Sequence, residues 1–185
     1  QTGWGRTGDY WCGIEHWGVE PDIMTFAKGM ANGSPVGATI ARSDIAASIK
    51  GNTISTFGGN PITMTAARAV IDIIERDDLR GNARVVGDYL RNGLEELAQR
   101  HVVIGDVRGK GLMQALELVG EGKEPAPQAT SAFLEKAKDR GLIIGKGGLF
   151  GNVVRISPPL TMSKSDVDAA LEMMDLALGD VGSRR

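Results

Sequence analysis

A lysine at the end of an apolar segment is the residue whose placement best suits covalent chemistry. The run from Asp22 to Ala27 is typical of a short buried strand, and it ends at Lys28, which a glycine-rich turn follows at 29–33. Glycines let the backbone approach a ligand closely, and ligands of open α/β sheets collect at the carboxyl ends of strands. An amine partly removed from water can attack a carbonyl there. By position alone, a solvated surface lysine remains the more common case.

Two further side chains have local settings that suit anions. Arg155 lies in the strand-like segment 153–156, where alternation directs its guanidinium away from the face of Val154. A planar guanidinium matches a carboxylate, although a structural ion pair is an alternative. Thr56 lies just before a helix that is predicted to begin at Pro61, and helix starts present free N–H groups. A simple turn threonine is the alternative there.

Composition excludes several classes of partner. The 185 residues carry a formal charge of −2, so nothing indicates nucleic-acid binding or an anionic membrane, and a small-molecule substrate is expected. A lone Cys12 excludes an internal disulfide framework and favours a reducing, cytoplasmic compartment. His16 and His101 have no partners at ligand spacing, so no metal site is predicted.

The apolar spacing predicts α/β elements followed by a small α+β unit, with a boundary near residue 78. Helix-type spacing at 84–100 persists although Gly87 and Gly93 each lower helix propensity by roughly 1 kcal/mol. Ser163 and Asp166 resemble a capping box at the start of a last helix. The remaining predicted elements are helices at 61–75 and 128–140 and strands at 22–27, 36–41, 112–118, 142–145 and 153–156.

The segment around the lysine resembles a known motif. Residues 21–29, PDIMTFAKG, resemble the Schiff-base lysine motif of class III (omega) pyridoxal-phosphate-dependent aminotransferases. Other family-like segments follow in the order and approximate spacing of that family: QTG at 1–3, GRTG at 5–8, TFGGNP at 56–61, VRGKGL at 107–112 and RISPP at 155–159. The resemblance covers essentially the whole chain and is strongest to the alanine-glyoxylate aminotransferase group.

This resemblance implies a fold and a domain division. The chain is expected to be the carboxyl-terminal part of a fold-type I transferase, with 1–78 in the large coenzyme-binding domain and 79–185 forming the small α+β domain. The family also implies a homodimer or higher homo-oligomer whose active sites combine residues of two copies. Because the chain opens on Gln1 rather than methionine, we expect it to be a fragment, and an upstream targeting segment is left open.

The resemblance also implies roles for individual residues. Lys28 would carry pyridoxal 5′-phosphate and shuttle a proton, and Thr56 would bind the coenzyme phosphate across a dimer interface. Gln1 would pack near the phenolic oxygen of the coenzyme. Arg155 would bind the substrate carboxylate, whereas Arg108 is a weaker candidate for which a structural role is expected. The implied reaction moves an amino group from alanine, a β-amino acid or an ω-amino acid to glyoxylate, pyruvate or 2-oxoglutarate.

The family pattern is incomplete within this chain. The family's aspartate for the pyridine nitrogen would precede Gln1 by three residues, so we expect the isolated chain to be inactive. The strands at 22–27 and 36–41 are expected to lack sheet partners and to expose apolar surface. The isolated chain should then be stable only through its carboxyl-terminal domain or by association.

Three alternatives stay open. A 4-aminobutyrate or ornithine-type aminotransferase has the same motifs, because the substrate pocket draws on absent residues. A non-catalytic oligomerisation or binding module would retain the scaffold without needing its lysine, threonine and arginine. A nicotinamide-dependent dehydrogenase depends on the glycine run at 145–151, and that interpretation fails if no helix follows the run.

Overall fold

A computed structural model of the chain describes residues 2–182, so Gln1 lies outside the described residues. Two strands near the amino-terminal end form an antiparallel ribbon. Strand β1, Ile23–Phe26, pairs with β2, Ala38–Ala41, with Met24 opposite Ile40. A short 3-10 helix, Gly13–Trp17, precedes the ribbon, and a second one, Lys28–Ala31, follows β1 directly.

Both predicted strands therefore exist, but two expectations about them were wrong. They do not lack a partner, because each pairs with the other. They are also not buried: Ile23 is 53% exposed and Ile40 is 62% exposed, since no second layer covers the ribbon within the described chain. The expected exposure of apolar surface is confirmed.

Two long helices follow a short one, α1, Ser43–Ala46. Helix α2, Pro61–Arg76, starts at its proline as predicted, and the side chain of Asn60 caps it by accepting a hydrogen bond from the Thr63 N–H at 3.0 Å. Helix α3, Leu79–Arg100, begins five residues earlier than predicted, because the carboxylate of Asp78 caps it by accepting the Gly81 N–H. The helices thus break at residues 77–78, where the sequence predicts a domain boundary.

A four-stranded antiparallel sheet forms the second half, in the order β3-β4-β6-β5. Its strands are β3, Ile104–Lys110; β4, Met113–Leu118; β5, Gly145–Gly147; and β6, Val153–Ile156. A third 3-10 helix, Glu121–Lys123, and helix α4, Pro127–Asp139, separate β4 from β5, and α5, Lys164–Gly179, follows β6.

The predicted strand at 142–145 was wrong in its position. The Leu142 N–H donates to the Ala137 carbonyl at 2.9 Å, which closes the turn at the end of α4, and the strand starts only at Gly145. The glycine run at 145–151 leads into β6 and not into a helix. The dehydrogenase interpretation fails on that finding.

One hydrophobic core holds the second half together. Helices α3 and α4 pack against one face of the sheet, where Gln114, Leu116 and Leu118 of β4 are buried in alternation, and α5 packs against both helices. The residues of this core span 83–178. Among the described residues before position 83, the only buried apolar side chains are Ala31, Ala67 and Ile74. Most of the burial therefore stabilises the second half of the chain.

Local signals placed the last helix correctly. The Ser163 hydroxyl accepts the Asp166 N–H, and the Asp166 carboxylate accepts the Ser163 N–H at 2.9 Å, which completes the predicted capping box. None of the helices in the described part of the chain is both long enough and apolar enough to cross a membrane.

Candidate active site

Lys28 lines a cavity of about 530 Å³ between the two halves of the chain. One wall comes from residues 3–6 together with the end of β1 and the turn after it, and helix α2 contributes Val70, Ile73 and Ile74. The opposite wall is the segment after β6, from Ser157 to Thr161. Small-molecule sites commonly have volumes of roughly 300–1,000 Å³, so this cavity is large enough for a coenzyme-sized ligand.

The backbone at Lys28 has an uncommon conformation. Its φ is 59°, in the left-handed region, and it is the first residue of the 3-10 helix that ends at Ala31. Such a conformation costs a non-glycine residue on the order of 1–3 kcal/mol and persists where the surrounding structure requires it. Lys28 is exposed in this chain, so the partial burial expected at a strand end is not reached within the described residues.

Aromatic rings form the part of the wall next to the lysine. The ring of Trp4 lies 5.7 Å from that of Phe26 and packs edge-on against Trp11 at 5.8 Å between centroids. Trp4 and Phe26 both line the cavity. The Trp4 Nε1 atom is buried and has no hydrogen-bond partner among the described residues. An apolar wall that contains one unused donor suits a flat ring with polar substituents.

Arg6 crosses from this wall to the opposite one. Its Nη1 donates to the Pro158 carbonyl at 2.7 Å and to the Leu112 carbonyl at 3.0 Å. The Leu112 N–H in turn donates to the Arg6 carbonyl at 3.0 Å. Burial lowers the pKa of Arg6 from its ordinary value, but a guanidinium stays charged in proteins, so both side-chain bonds are charge-assisted.

Arg155 lies on the outer face of the sheet, opposite the buried Val154. It is exposed, and its side chain makes no hydrogen bond or ion pair with the other residues between 2 and 182. It lines a second cavity of about 530 Å³, and the two cavities share Ser157 and Pro159. Arg155 is thus adjacent to the cavity of Lys28 without lining it.

Arg108 has the structural role that the sequence favoured. Its Nη1 donates to Asp106 at 2.6 Å and to Glu117 at 2.5 Å. These two hydrogen bonds, the one to Asp106 being the larger cause, raise the pKa of Arg108. A guanidinium that two carboxylates already neutralise has little capacity left for a substrate carboxylate.

Thr56 is not brought to Lys28 within one chain. It lies in the exposed segment 51–59 and is not among the residues that line the cavity. Gln1 falls outside the described residues. The structure therefore brings together Lys28, the aromatic wall, Arg6 and the 157–161 loop, with Arg155 next to them.

The sequence identified segments 5–8 and 155–159 as family-like but assigned no role to Arg6 or to the 157–161 loop. The signal available in the sequence was the pair of glycines, Gly5 and Gly8, on either side of Arg6. In the structure both glycines have positive φ. Such glycines indicate a sharp turn or a close approach of backbones. Nothing in the sequence identified Pro158 as the partner, because the two residues lie 152 positions apart.

Comparisons with known proteins identify several relatives of this chain. An alanine–glyoxylate aminotransferase 2 homolog 2, mitochondrial, of Arabidopsis thaliana is 45% identical over 181 residues, covering 96% of this chain and 38% of that protein. An alanine/serine racemase of Pyrococcus horikoshii is 41% identical over 180 residues, covering 97% of this chain and 38% of that protein. A solved phospholyase from Arthrobacter, in complex with phosphoethanolamine, superposes with a TM-score of 0.93 at 33% identity.

That superposition covers 97% of this chain and 43% of the phospholyase, and it confirms the predicted fold class. The chain thus spans about two fifths of the length of these relatives. Their names describe three different reactions, so kinship alone does not define the chemistry. The model of the family described as aminotransferase class-III matches residues 1–178, and the chain belongs to that family.

Proposed function

We propose that the protein is a pyridoxal-phosphate-dependent aminotransferase that moves an amino group from alanine, a β-amino acid or an ω-amino acid to a keto acid such as glyoxylate, pyruvate or 2-oxoglutarate. One observation carries the proposal. Lys28 lines a cavity whose opposite wall continues directly from Arg155, through the shared residues Ser157 and Pro159. An amine and a guanidinium arranged in this way suit a substrate that has both a carbonyl-derived carbon and a carboxylate.

The residues present fit pyridoxal phosphate. An ε-amine suits its aldehyde, the rings of Trp4 and Phe26 suit a flat heterocycle, and the buried Trp4 Nε1 offers an unused donor. Lys28 would hold the coenzyme covalently, and Thr56 and Gln1 would contact its phosphate and its phenolic oxygen. When bound, the coenzyme supplies an electron sink for charge at the substrate carbon.

The protein's own groups would then bind the donor and move its proton. Arg155 would bind the donor carboxylate and orient the carbon that bears the amino group. Lys28 Nζ would accept the proton from that carbon and return a proton in the reverse half-reaction. The 157–161 loop would form the wall that excludes water from the reacting carbon.

We further propose that the active site is shared between two copies in a homodimer or a higher homo-oligomer. Thr56 does not line the cavity of its own chain, and the segment around it exposes apolar side chains: Ile54 is 92% exposed and Phe57 is 81% exposed. Apolar side chains at this exposure favour contact with another surface. A second copy would place its Thr56 beside the phosphate of the first.

Borohydride labelling of the full-length protein tests the role of Lys28. We expect visible absorbance from the bound coenzyme and, after reduction and digestion, a pyridoxyl tag on the peptide that spans position 28. Lys28→Ala should abolish the tag and the turnover, whereas Lys50→Arg, at an exposed lysine on the same half of the chain, should change neither. A tag on another peptide would overturn the assignment.

The acceptor distinguishes the competing reactions. Without a keto acid, a transaminase consumes no more than one equivalent of alanine per bound coenzyme, whereas a racemase continues to convert alanine. A preference for 4-aminobutyrate or ornithine over alanine in a donor panel would select the alternative aminotransferase type. A full-length protein that binds no coenzyme would instead support the non-catalytic module.

A further inference from the structure

We propose that Arg6 is a positioning residue for substrate recognition, which holds the 157–161 loop and, through it, the guanidinium of Arg155 at a set position relative to Lys28. The inference rests on the proposed function. It assigns a role to a residue that lines the cavity of Lys28 and whose side-chain nitrogen is already engaged by two backbone carbonyls.

A single nitrogen of Arg6 joins two segments that are remote in sequence. Its Nη1 donates both to the Pro158 carbonyl, at 2.7 Å, and to the Leu112 carbonyl, at 3.0 Å. Leu112 belongs to the turn between β3 and β4, and Pro158 follows β6. Since β4 pairs with β6, the two carbonyls come from neighbouring parts of one sheet. By binding both carbonyls, Arg6 would set the distance between that sheet and Lys28.

The Arg6 backbone is itself held in place. The Leu112 N–H donates to the Arg6 carbonyl at 3.0 Å. Gly111 packs so closely on this loop that a Cβ there would come within 2.7 Å of the Arg6 carbonyl oxygen. A side chain anchored at both ends can transmit the position of the first loop to the second.

The path from Pro158 to Arg155 is short and stiff. Pro158 lies three residues after Arg155, and Ile156 between them is buried in the core. Pro158 and Pro159 are consecutive prolines, each with a restricted φ, and Pro158 is further restricted because it precedes a proline. Few backbone bonds between Pro158 and β6 can therefore rotate freely. A displacement of the Pro158 carbonyl is transmitted to β6 for that reason.

Arg84 provides a matched control. Like Arg6, it links the loop before the ribbon to the second half of the chain, through an ion pair of its Nε with the Asp9 carboxylate at 3.0 Å. Arg84 lines neither the cavity of Lys28 nor that of Arg155. A lysine substitution at this position disturbs the same junction without disturbing the wall of the site.

The test is the donor half-reaction of the full-length protein, followed by coenzyme absorbance with alanine and with 1-phenylethylamine, an amine donor that lacks a carboxylate. Arg6→Met should weaken the apparent affinity for alanine by about tenfold, the scale expected for losing a hydrogen bond to a charged group, and that for 1-phenylethylamine by less than about twofold. Arg6→Lys, which keeps one charged donor, should recover part of the loss. Arg84→Lys should change neither donor.

The results of this experiment distinguish the role of Arg6 from the proposed function of the protein. Equal losses with both donors, no loss with either, or failure of both Arg6 variants to fold would make Arg6 a purely structural residue and overturn the proposal. An unmodified protein that shows neither coenzyme absorbance nor a half-reaction would instead overturn the proposed function. Selective loss for alanine, with partial rescue by lysine, is the result that supports a positioning role.

Discussion

Arg108 and Arg155 lie on the same outer face of the four-stranded sheet, in one cross-strand row, with Ala115 of the intervening strand between them. Arg108 is engaged by Asp106 and Glu117, whereas Arg155 has only the small residues Ala115 and Gly145 directly opposite it. Two guanidinium groups on one face of the sheet, one on the edge strand β3 and one on the inner strand β6, therefore differ in the partners they have. The carboxylates of Asp106 and Glu117 engage Arg108, whereas the side chain of Arg155 stays exposed.

Lysine substitutions at these two positions should have opposite consequences in the full-length protein. Arg155→Lys replaces a planar fork by a compact ammonium group, so the KM for a carboxylate-bearing donor should rise by about tenfold or more. Arg108→Lys keeps a cation beside the two carboxylates and should leave that KM unchanged. Steady-state kinetics with alanine measures both variants, and equal effects on KM would contradict the division of roles.

Two glycines of α3 should respond differently to alanine. A Cβ at Gly87 would run into the backbone of Gly111 in the β3–β4 turn, whereas a Cβ at Gly93 would first meet the end of the flexible Leu171 side chain. Gly87→Ala should lower the free energy of unfolding by about 1–3 kcal/mol through overpacking. At Gly93 a gain in helix propensity of roughly 1 kcal/mol offsets the crowding, so little net change is expected.

Urea unfolding of the two variants beside the unmodified protein provides the measurement. If Gly93→Ala proved as destabilising as Gly87→Ala, the close approach of α3 to the Gly111 turn would not be the cause.

The capping box of α5 should make stability depend on pH in the acid range. Hydrogen bonds from the Ser163 hydroxyl and then from the Ser163 N–H lower the pKa of Asp166 below its ordinary 3.8. A carboxyl group whose pKa is lowered by folding contributes stability above its unfolded pKa and loses it as the pH falls through its folded pKa. Asp166→Asn should therefore lower the thermal midpoint at neutral pH, with a difference that shrinks below 3.8.

Thermal scans of both proteins across the acid range test this expectation. A difference that stays constant down to the lowest pH at which the protein still folds would mean that the Asp166 charge does not stabilise the helix.

Hydrogen exchange should divide the isolated chain into two parts. Amides of β4 and β6 belong to the sheet that carries the core, whereas the β1–β2 ribbon exposes Ile23 and Ile40. We expect the ribbon amides to exchange much faster than those of β4 and β6, because local opening of the ribbon exposes little additional apolar surface. In the full-length protein, where further chain is expected to cover the ribbon, the difference should diminish. Equal protection of both sheets in the isolated chain would contradict the expectation.

Local sequence signals predicted the helices well, because capping and apolar spacing act between residues that are near in sequence. Pro61 starts α2, and the Ser163–Asp166 pair starts α5, both as predicted. The strand predicted at 142–145 was wrong in its position, because the local apolar pattern does not by itself determine which element forms. An apolar run suits a helix end as well as a strand, and the bond from Leu142 to Ala137 decided between them.

The sequence by itself determined the family and predicted Lys28 as the residue that would carry the coenzyme, because the motif around Lys28 is long, continuous and independent of any distant contact. Only the tertiary structure decided which arginine is neutralised and which residue links the two walls of the cavity. The pairing of Arg108 with Glu117 and the bond from Arg6 to Pro158 join segments that approach each other only after folding. Strand register and loop packing set those contacts, and neither follows from the identity of neighbouring residues.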